Sequence, residues 1–319
     1  MTQLNDTASV AASRAVFTVT ATGPQALFQD RGRPGHASTG ISASGHFDRM
    51  SAARANHALG NSLDAPLIEC FFGGLELEVH QPTYIIATGV LAPITITQPD
   101  GVVRTRTTND VLRLQPGDHV RIGQPEFGLR AYVAVRGGFD APRIIGSASR
   151  DVLSGLGPAP LAVGDTLGAD TTGAFIEDPD WLPIIDHLVP LWRPTRTHTL
   201  EVIPGPRDYW FTTESILNLF SQTFTVNSSS NRIGVRLDAE KPLERRPEMV
   251  GQELASEGMV RGCIQVPPDG NPVLFGPDHP VTGGYPVIGV LSSSSSDRCA
   301  QLAPGDSVRF APVPSRPSR

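Results

Sequence analysis

The chain contains the turn Gln115-Pro116-Gly117-Asp118-His119-Val120-Arg121, and a closely similar turn, Ala303-Pro304-Gly305-Asp306-Ser307-Val308-Arg309, near its carboxyl end. A weaker copy, Ala162-Val163-Gly164-Asp165-Thr166-Leu167, lies between the two. Proline fixes φ, glycine permits a positive φ and aspartate can cap the turn, so each copy is typical of a hairpin corner that feeds a strand. The recurrence suggests an internal duplication, with the alternative that such turns are simply common in β proteins.

Short strand-like segments surround the first copy. Each is β-branched or alternating and is closed by Gly, Pro, Asn or Asp. They cover residues 16–21, 75–80, 84–88, 94–98, 102–106, 111–114, 119–122 and 129–135. With 32 glycines and 29 prolines against 6% aromatic residues, the pattern predicts a mainly β fold, an antiparallel barrel or sandwich. The clearest helices are expected over 47–59 and 209–219, and the serine run 292–296 is expected to be a flexible hairpin loop.

The length of 319 residues favours two domains. Residues 178–199 are rich in proline and bulky apolar side chains, including Trp181 and Trp192, which is typical of a packed connector. We therefore place a boundary near Thr197, with a first β half and its connector over 15–197 and a second β half over 198–312. Residues 1–14 and 313–319 are expected to be disordered.

The charge composition argues against nucleic acid as the main partner. The formal net charge is −6 and charged residues make up 18% of the chain, whereas phosphate binding needs clustered cations. Lys241 is the single lysine and lies in a charged, loop-like stretch, which argues against lysine-based catalysis. The sequence has no glycine-rich loop that ends in Gly-Lys-Ser/Thr. If the reaction uses ATP, another chain is expected to bind it.

The cysteines and histidines give no sign of a metal or disulfide framework. Cys70, Cys263 and Cys299 are widely separated, and no His/Cys spacing is typical of a metal site. His46 and His279 lie near polar motifs, but a lone histidine of this kind is more often structural than catalytic. With no apolar run of signal-peptide or membrane-spanning length, we expect a soluble, cytoplasmic protein without a bound metal.

Two polar clusters are candidates for substrate binding. In the first, Asp30 is followed by two arginines, Arg31 and Arg33, and by Asp48 further on; an ionised, hydrogen-bonded Asp could orient a carboxylate, ureido or lactam group. The alternative is a buried salt bridge that ties a loop to the barrel. In the second, Asn231 and Arg232 precede Gly234 and Arg236, and we expect Arg232 to face a ligand.

A third cluster is the candidate catalytic group. It consists of Gln265 and the segment Thr282-Gly283-Gly284-Tyr285, with Asp278 nearby. A carboxamide, a hydroxyl, free N–H groups and a phenol could together hold an amide or ureido substrate and its developing oxyanion. The alternative is a tight Gly-Gly turn with Tyr285 folded into a core. Glu69 is a further acid that could face a pocket from a strand.

These blocks carry a resemblance. The chain resembles a family with several labels. The resemblance lies in five segments that follow the family order between Val16 and Phe310, namely 29–35, 45–48, 228–237, 261–267 and 281–286. The labels are allophanate hydrolase subunit 2, urea amidolyase-type biotin-dependent carboxyltransferase, the C-type subunit of 5-oxoprolinase, and a KipA-like antagonist of a sporulation kinase inhibitor. The resemblance implies two tandem cyclophilin-like β-barrel halves with a few short helices. One departure is Pro280-Val281, where the family commonly has a Gln-Thr pair.

The resemblance implies a subunit of a multi-subunit amide-processing enzyme, first of all one like the C-type subunit of 5-oxoprolinase. Its partners would be a subunit 1/B-type (KipI-like) protein and an A-type 5-oxoprolinase subunit or a biotin-carrying chain. ATP or carboxybiotin would come through those partners, and the substrate would be a small amide. One alternative is the carboxyltransferase part of a biotin-dependent urea carboxylase system. Two others are a non-catalytic regulator that binds a kinase inhibitor protein and a silent scaffold.

Overall fold

A computed structural model describes residues 15–169 and 196–313. The predictions for residues 1–14, for most of the connector at 178–199 and for 314–319 fall outside the described residues. The rest of the chain is mainly β with a few short helices, which confirms the predicted fold class. Among the described residues, no helix is both long and apolar enough to cross a membrane.

Before the gap the strands are β1 (Ala15–Thr22), β2 (Gln25–Gln29), β3 (Leu67–Phe71), β4 (Leu75–Val79), β5 (Thr83–Thr88), β6 (Pro93–Thr97), β7 (Val103–Thr107), β8 (Leu112–Leu114), β9 (His119–Ile122), β10 (Arg130–Val135), β11 (Phe139–Asp140) and β12 (Thr166–Ala169). After it come β13 (Thr197–Pro204), β14 (Phe224–Val226), β15 (Gly234–Ala239), β16 (Glu257–Gly258), β17 (Cys263–Gln265), β18 (Val273–Phe275), β19 (Thr282–Gly283), β20 (Val287–Leu291) and β21 (Ser307–Pro312). The helices are α1 (Arg49–Ala58), α2 (Thr213–Ser221) and α3 (Ser293–Arg298).

The first half packs two sheets on one apolar core. A seven-stranded sheet has the order β11-β12-β1-β4-β9-β6-β7, and a five-stranded sheet has the order β2-β3-β10-β5-β8. Phe17 and Leu77 of the first sheet share this core with Ile68 and Val133 of the second. Strand β10 is buried along its whole length, because its other face, with Tyr132, packs against α1.

The second half is a closed barrel of the order β13-β20-β17-β18-β15-β14-β21. Its strand pairs are antiparallel except for β13 and β21, which run parallel and close the barrel. Leu200, Phe224 and Phe310 are among the side chains that fill its core. The strand β13 begins at Thr197, while the domain boundary near that residue stays a prediction.

The three copies of the turn have the same hydrogen bonds. In each copy the aspartate Oδ2 accepts the N–H of the residue three positions earlier, and the glycine has a left-handed φ. The hydrogen bond to the aspartate Oδ2 measures 2.8 Å at Asp118, 2.8 Å at Asp165 and 2.9 Å at Asp306. The φ values are 85° at Gly117, 93° at Gly164 and 87° at Gly305. The glycine N–H donates to a valine carbonyl in all three, namely Val79, Val19 and Val226. Each copy is therefore a turn that leads into a strand, as predicted, namely β9, β12 or β21. The hairpin part of the prediction is wrong at the first copy, because β8 and β9 on either side of it belong to different sheets.

The two predicted helices are confirmed, and one predicted loop is wrong. The segment 47–59 forms α1, whose N-cap is Asp48, and 209–219 forms part of a 3-10 turn followed by α2. The serine run 292–296, expected to be a flexible loop, instead begins α3. The reason is that its hydroxyls are used inside the fold: Ser292 caps the helix by accepting the N–H of Ser295 at 3.3 Å. Ser295 Oγ in turn accepts the N–H of Glu201 at 2.8 Å.

Candidate functional site

A buried ion network joins the two halves. Arg232 Nη1 donates to Glu69 Oε1 at 2.6 Å, while its Nε and Nη2 donate to Asp278 at 2.8 and 3.0 Å. The guanidinium also donates to the Gly45 carbonyl at 2.7 Å. Burial by itself lowers the pKa of Arg232, but the carboxylates of Asp278 and Glu69 raise it above its usual value. Burial raises the pKa of Glu69, and the cations of Arg232 and Arg130 more than reverse this, so Arg232 and Glu69 meet as ions.

This geometry corrects the expected role of Arg232. Arg232 is 2% exposed. Its guanidinium, which has five N–H donors, makes four hydrogen bonds to protein acceptors. The side chain is therefore oriented into the protein rather than toward a ligand. The neighbouring Asn231 is exposed, and its Oδ1 accepts the N–H of Ile233 at 2.8 Å in a turn that leads into β15.

Asp278 extends the network to two loops of the first half. It accepts the Ser44 hydroxyl at 2.6 Å and the Val152 N–H at 3.0 Å. Ser44 has a left-handed φ of 53°, which is uncommon for a residue other than glycine. Asp278 therefore joins Arg232 of the second sequence cluster to two loops of the first half that are far away along the chain.

Asp30 is an anchor inside the first half, which matches the alternative of a buried tie between a loop and the sheet. Its carboxylate accepts the hydroxyls of Ser147 and Ser149 at 2.6 and 2.7 Å, the Ala148 N–H at 2.7 Å and a donor of Arg143 at 3.0 Å. Burial alone raises the pKa of Asp30, but these hydrogen bonds from hydroxyls and amides lower it below its usual value. The carboxylate is therefore ionised and satisfied within the protein.

Arg33 and His46 are buried, and each has nitrogens without a hydrogen-bond partner among the described residues. Arg33 donates from Nη2 to the Ser149 carbonyl, while its Nη1 is unpaired. Both ring nitrogens of His46 are unpaired, and burial lowers the pKa of His46 to about 4. His46 is therefore neutral near pH 7, while Arg33 keeps an unused donor.

Asp48 has a structural position at the start of α1. Its carboxylate accepts the N–H of Ser51 at 2.9 Å and a donor of Gln301 at 3.1 Å, and its own N–H donates to the Tyr132 hydroxyl at 2.7 Å. Burial raises the pKa of Asp48, and the hydrogen bonds oppose this only in part. These contacts place Asp48 in helix capping and packing, at the junction with the second half.

The candidate catalytic residues lie together, with Thr282, Gly284 and Tyr285 on an open surface and Gln265 buried beside them. Thr282 and Gly283 form β19, which pairs with β16, and the Tyr285 residue is 45% exposed. The alternative in which Tyr285 fills a core is therefore wrong. Gln265 Nε2 donates to the Tyr285 carbonyl at 3.3 Å, and a Cβ on Gly283 would lie only 2.7 Å from that same nitrogen. Glycine is needed here because the Gln265 carboxamide approaches the backbone closely.

Three charged or phenolic side chains beside this surface were not found from the sequence. Glu257 on β16 is the strand partner of Gly283, and Arg207 binds it with Nε at 2.9 Å and with Nη2. Arg207 Nη1 also donates to the Tyr209 hydroxyl at 2.6 Å. The hydrogen bond to Glu257 raises the pKa of Arg207. The Pro204-Gly205-Pro206 turn before Arg207 was an available but weak signal of a fixed backbone at this point.

The site thus has two parts with different chemistry. The buried part, around Arg232 and Asp278, fixes the two halves against each other, whereas the exposed part, from Thr282 to Tyr285, presents hydroxyl, amide and phenol groups to solvent. Such groups can hydrogen-bond an amide carbonyl and the oxyanion formed from it. In residues 15–169 and 196–313, no group of three or more His, Cys, Asp or Glu side chains is placed to hold a metal ion.

Comparison with known proteins gives the family. A model of the "Carboxyltransferase domain, subdomain A and B" matches residues 39–312. The chain is 30% identical to the C-type subunit of 5-oxoprolinase from Escherichia coli over 88% of this chain and 86% of that protein. It is also 30% identical to the urea amidolyase of Lachancea kluyveri, but spans only 17% of that much longer protein. The crystal structure of the Kluyveromyces lactis urea carboxylase superposes with a TM-score of 0.85 and 27% identity, covering 96% of this chain and 28% of that one. The chain therefore belongs to the family of carboxyltransferase domains with subdomains A and B.

Proposed function

We propose that this chain is one subunit of a multi-subunit amide-processing enzyme of the 5-oxoprolinase kind, which opens 5-oxoproline to glutamate with ATP bound by another chain. The observation that carries the proposal is the extent of one similarity. The match to the C-type subunit of 5-oxoprolinase covers 86% of that protein, whereas the match to urea amidolyase covers 17% of the longer enzyme. A chain that corresponds to nearly a whole subunit is expected to work as a subunit.

The exposed part of the site has the chemistry that lactam opening needs. Attack on the lactam carbonyl creates an oxyanion, which hydroxyl and amide donors stabilise when they are fixed in place beforehand. Thr282 and the backbone at Gly283 and Gly284 would lie near this oxyanion, with the Gln265 carboxamide and the Tyr285 phenol beside them. Gln265 is held against the backbone by its bond to the Tyr285 carbonyl, so its position is fixed before a substrate arrives.

The carboxylate of 5-oxoproline needs a cation, and Arg232 is already paired within the protein. Arg207 is the cation that we assign to this task, because its partner Glu257 lies directly across the strand pair from Gly283. The guanidinium has five donors, so Glu257 and Tyr209 do not exhaust it. The assembly would include a subunit 1/B-type (KipI-like) protein and an A-type 5-oxoprolinase chain, and the chain itself would bind no cofactor.

A second candidate is the carboxyltransferase function in a biotin-dependent urea carboxylase system. It is favoured by the description of the family model and by the close superposition with the Kluyveromyces lactis urea carboxylase. In this case the same donors would hold the ureido group of carboxybiotin, carried on a partner chain, together with urea or a related amide. Arg207 would then be available to the carboxylate that carboxybiotin carries on its ureido nitrogen.

The deciding experiment begins with affinity capture of the tagged chain from its native cells and identification of the co-purified proteins. The complex is then assayed for ATP hydrolysis that depends on 5-oxoproline, with glutamate measured as product. We expect two non-biotinylated partners and a turnover that is lost when this chain is omitted. A biotinylated partner with urea- and bicarbonate-dependent ATP hydrolysis would establish the second candidate instead. A stable complex without turnover on either substrate would point to a regulatory protein.

A further inference from the structure

A cavity of about 450 Å³ lies between the two halves, lined by parts of the chain that contribute nothing to the surface from Thr282 to Tyr285. The first half contributes Phe71, Phe72 and residues 125–129, and the second contributes Arg196, His198 and residues from 301 to 306. Its volume is within the range of small-molecule sites. We call it the Phe72 cavity.

One wall of the Phe72 cavity is aromatic and carries backbone strain. Phe72 has a left-handed φ of 57°, a genuine outlier for a bulky residue, and it is 40% exposed. Its N–H donates to the Leu129 carbonyl at 2.8 Å, so the turn is held in this conformation. Phe127 and Pro304 extend the apolar surface. Strained residues held in place by their surroundings concentrate at binding sites.

The polar lining of the Phe72 cavity includes Arg196, His198 and Asp306. The His198 side chain is 10% exposed, and its Nε2 has no hydrogen-bond partner among the described residues, although it lies 3.3 Å from Asp306 Oδ2. That oxygen already accepts the Ala303 N–H at 2.9 Å, as in the other copies of the turn. Arg196 reaches Asp306 Oδ1 only at 3.5 Å, and its side chain is 73% exposed.

Asp306 Oδ2 is therefore engaged by the Ala303 N–H, while Arg196 keeps donors for a ligand. Arg196 has five N–H groups, and its single contact with a carboxylate among the described residues is long. Within residues 15–169 and 196–313 the His198 nitrogen is buried without a matched partner, which is a costly condition that a ligand would relieve. A carboxylate suits both groups, since arginine binds it through paired hydrogen bonds.

We propose that the Phe72 cavity binds a small carboxylate that carries an aromatic or branched apolar group. The carboxylate lies against Arg196 and His198, and the apolar group lies against Phe72, Phe127 and Pro304. This site is separate from the surface from Thr282 to Tyr285 and does not depend on which reaction that surface supports. The Gln301 side chain, which lines the cavity, also donates to Asp48 at 3.1 Å, so one lining residue contacts the start of α1.

The test is a calorimetric titration of the full-length chain with phenylacetate, with uncharged 2-phenylacetamide and with cationic phenethylamine. We expect saturable binding of phenylacetate and at least tenfold weaker binding of the other two, about the effect of one lost charge-assisted hydrogen bond. Arg196→Gln should weaken phenylacetate by a similar factor. Arg104→Gln, at an exposed arginine of the remote edge strand β7, is the matched control and should bind as the native chain does.

Absence of saturable phenylacetate binding would overturn the proposal, and so would equal binding by the Arg196→Gln and Arg104→Gln variants. Stronger binding of phenethylamine, weakened by Glu126→Gln at the rim, would show that the cavity takes cations over its phenylalanine rings instead. Both arginines are exposed, and matching circular dichroism spectra would show that each variant is folded.

Discussion

Glu69 Oε1 accepts a hydrogen bond from Arg232 Nη1 at 2.6 Å, and this bond connects strand β3 of the first half to the segment that leads into β15 of the second. Both side chains are buried, so neither charge is solvated by bulk water. Each ion is stable in this position only because its partners are present, among them Asp278 and Arg130. The relative position of the two halves is therefore coupled to an ion network rather than to apolar contact alone.

We expect Arg232→Met to destabilise the chain by about 3–5 kcal/mol, because it leaves Glu69 and Asp278 buried without their cation. Urea unfolding followed by circular dichroism measures this change. Arg236→Met is the matched control, since Arg236 is exposed on the strand that follows, and about 0.5 kcal/mol or less is expected there. Normal stability of the Arg232→Met variant combined with lost turnover would instead restore Arg232 as a ligand-facing residue.

Gly283→Ala is expected to lower turnover at least tenfold while the chain still folds and joins its complex. The new Cβ would lie 2.7 Å from Gln265 Nε2 and 3.2 Å from Met259, so these flexible side chains must move and the carboxamide loses its position. The measurement is kcat for the reaction that the purified complex supports. Gly258→Ala, on the neighbouring strand β16, is the control, because its Cβ would meet nothing within 4 Å. Equal activity of the two variants would remove Gln265 from the candidate catalytic group.

His46 is expected to make stability depend on pH. Burial lowers the pKa of His46 to about 4 from an ordinary value of 6.5, so the unfolded chain gains a proton in this interval that the folded chain does not bind. The contribution of neutral His46 to the free energy of unfolding is present in full above pH 6.5. It is lost as the pH falls toward 4, at about 1.4 kcal/mol per pH unit.

The check is the free energy of unfolding of the native chain and of His46→Leu between pH 6.5 and 5, where few carboxylates titrate. As the pH falls, the free energy of unfolding of the variant should decrease less per pH unit than that of the native chain, and the difference should approach the slope given above. His57→Leu, at an exposed histidine of α1, is the matched control for replacing a histidine by leucine. An unchanged slope in His46→Leu would mean that water or protein groups solvate its ring in the folded state.

Ser292→Ala is expected to reduce the free energy of unfolding by about 1 kcal/mol, because the hydroxyl caps α3. The same hydroxyl donates to Glu201 on β13 at 3.1 Å, so its loss also removes one hydrogen bond between the helix and the barrel. Thermal unfolding measures the change. Ser293→Ala, at an exposed position one residue later, should stay within about 0.5 kcal/mol of the native chain. If both variants unfold alike, the capping contact does not stabilise the helix.

Much of the fold could be predicted from local sequence. The strands around residues 75–135 alternate and end at turn-forming residues, and the structure has strands at these positions. The turn with Asp118, Asp165 or Asp306 encodes its own geometry, because proline or valine, glycine and aspartate act within a few bonds of one another. The serine run at 292–296 misled the prediction because its composition is polar, whereas its hydroxyls bond within the fold.

Local patterns in the chain were enough to predict that it is mainly β, that it repeats one turn, and that Gln265 and the segment from Thr282 to Tyr285 group polar donors. They could not predict that Arg232 is an internal brace, that Asp30 anchors a loop, or that Arg207 and Glu257 lie beside Gly283; these relationships exist only in the folded chain. The physical reason is distance along the chain. Turn and strand preferences act between near neighbours, whereas the charge of Arg232 is compensated by Glu69, a residue that folding alone brings within 2.6 Å.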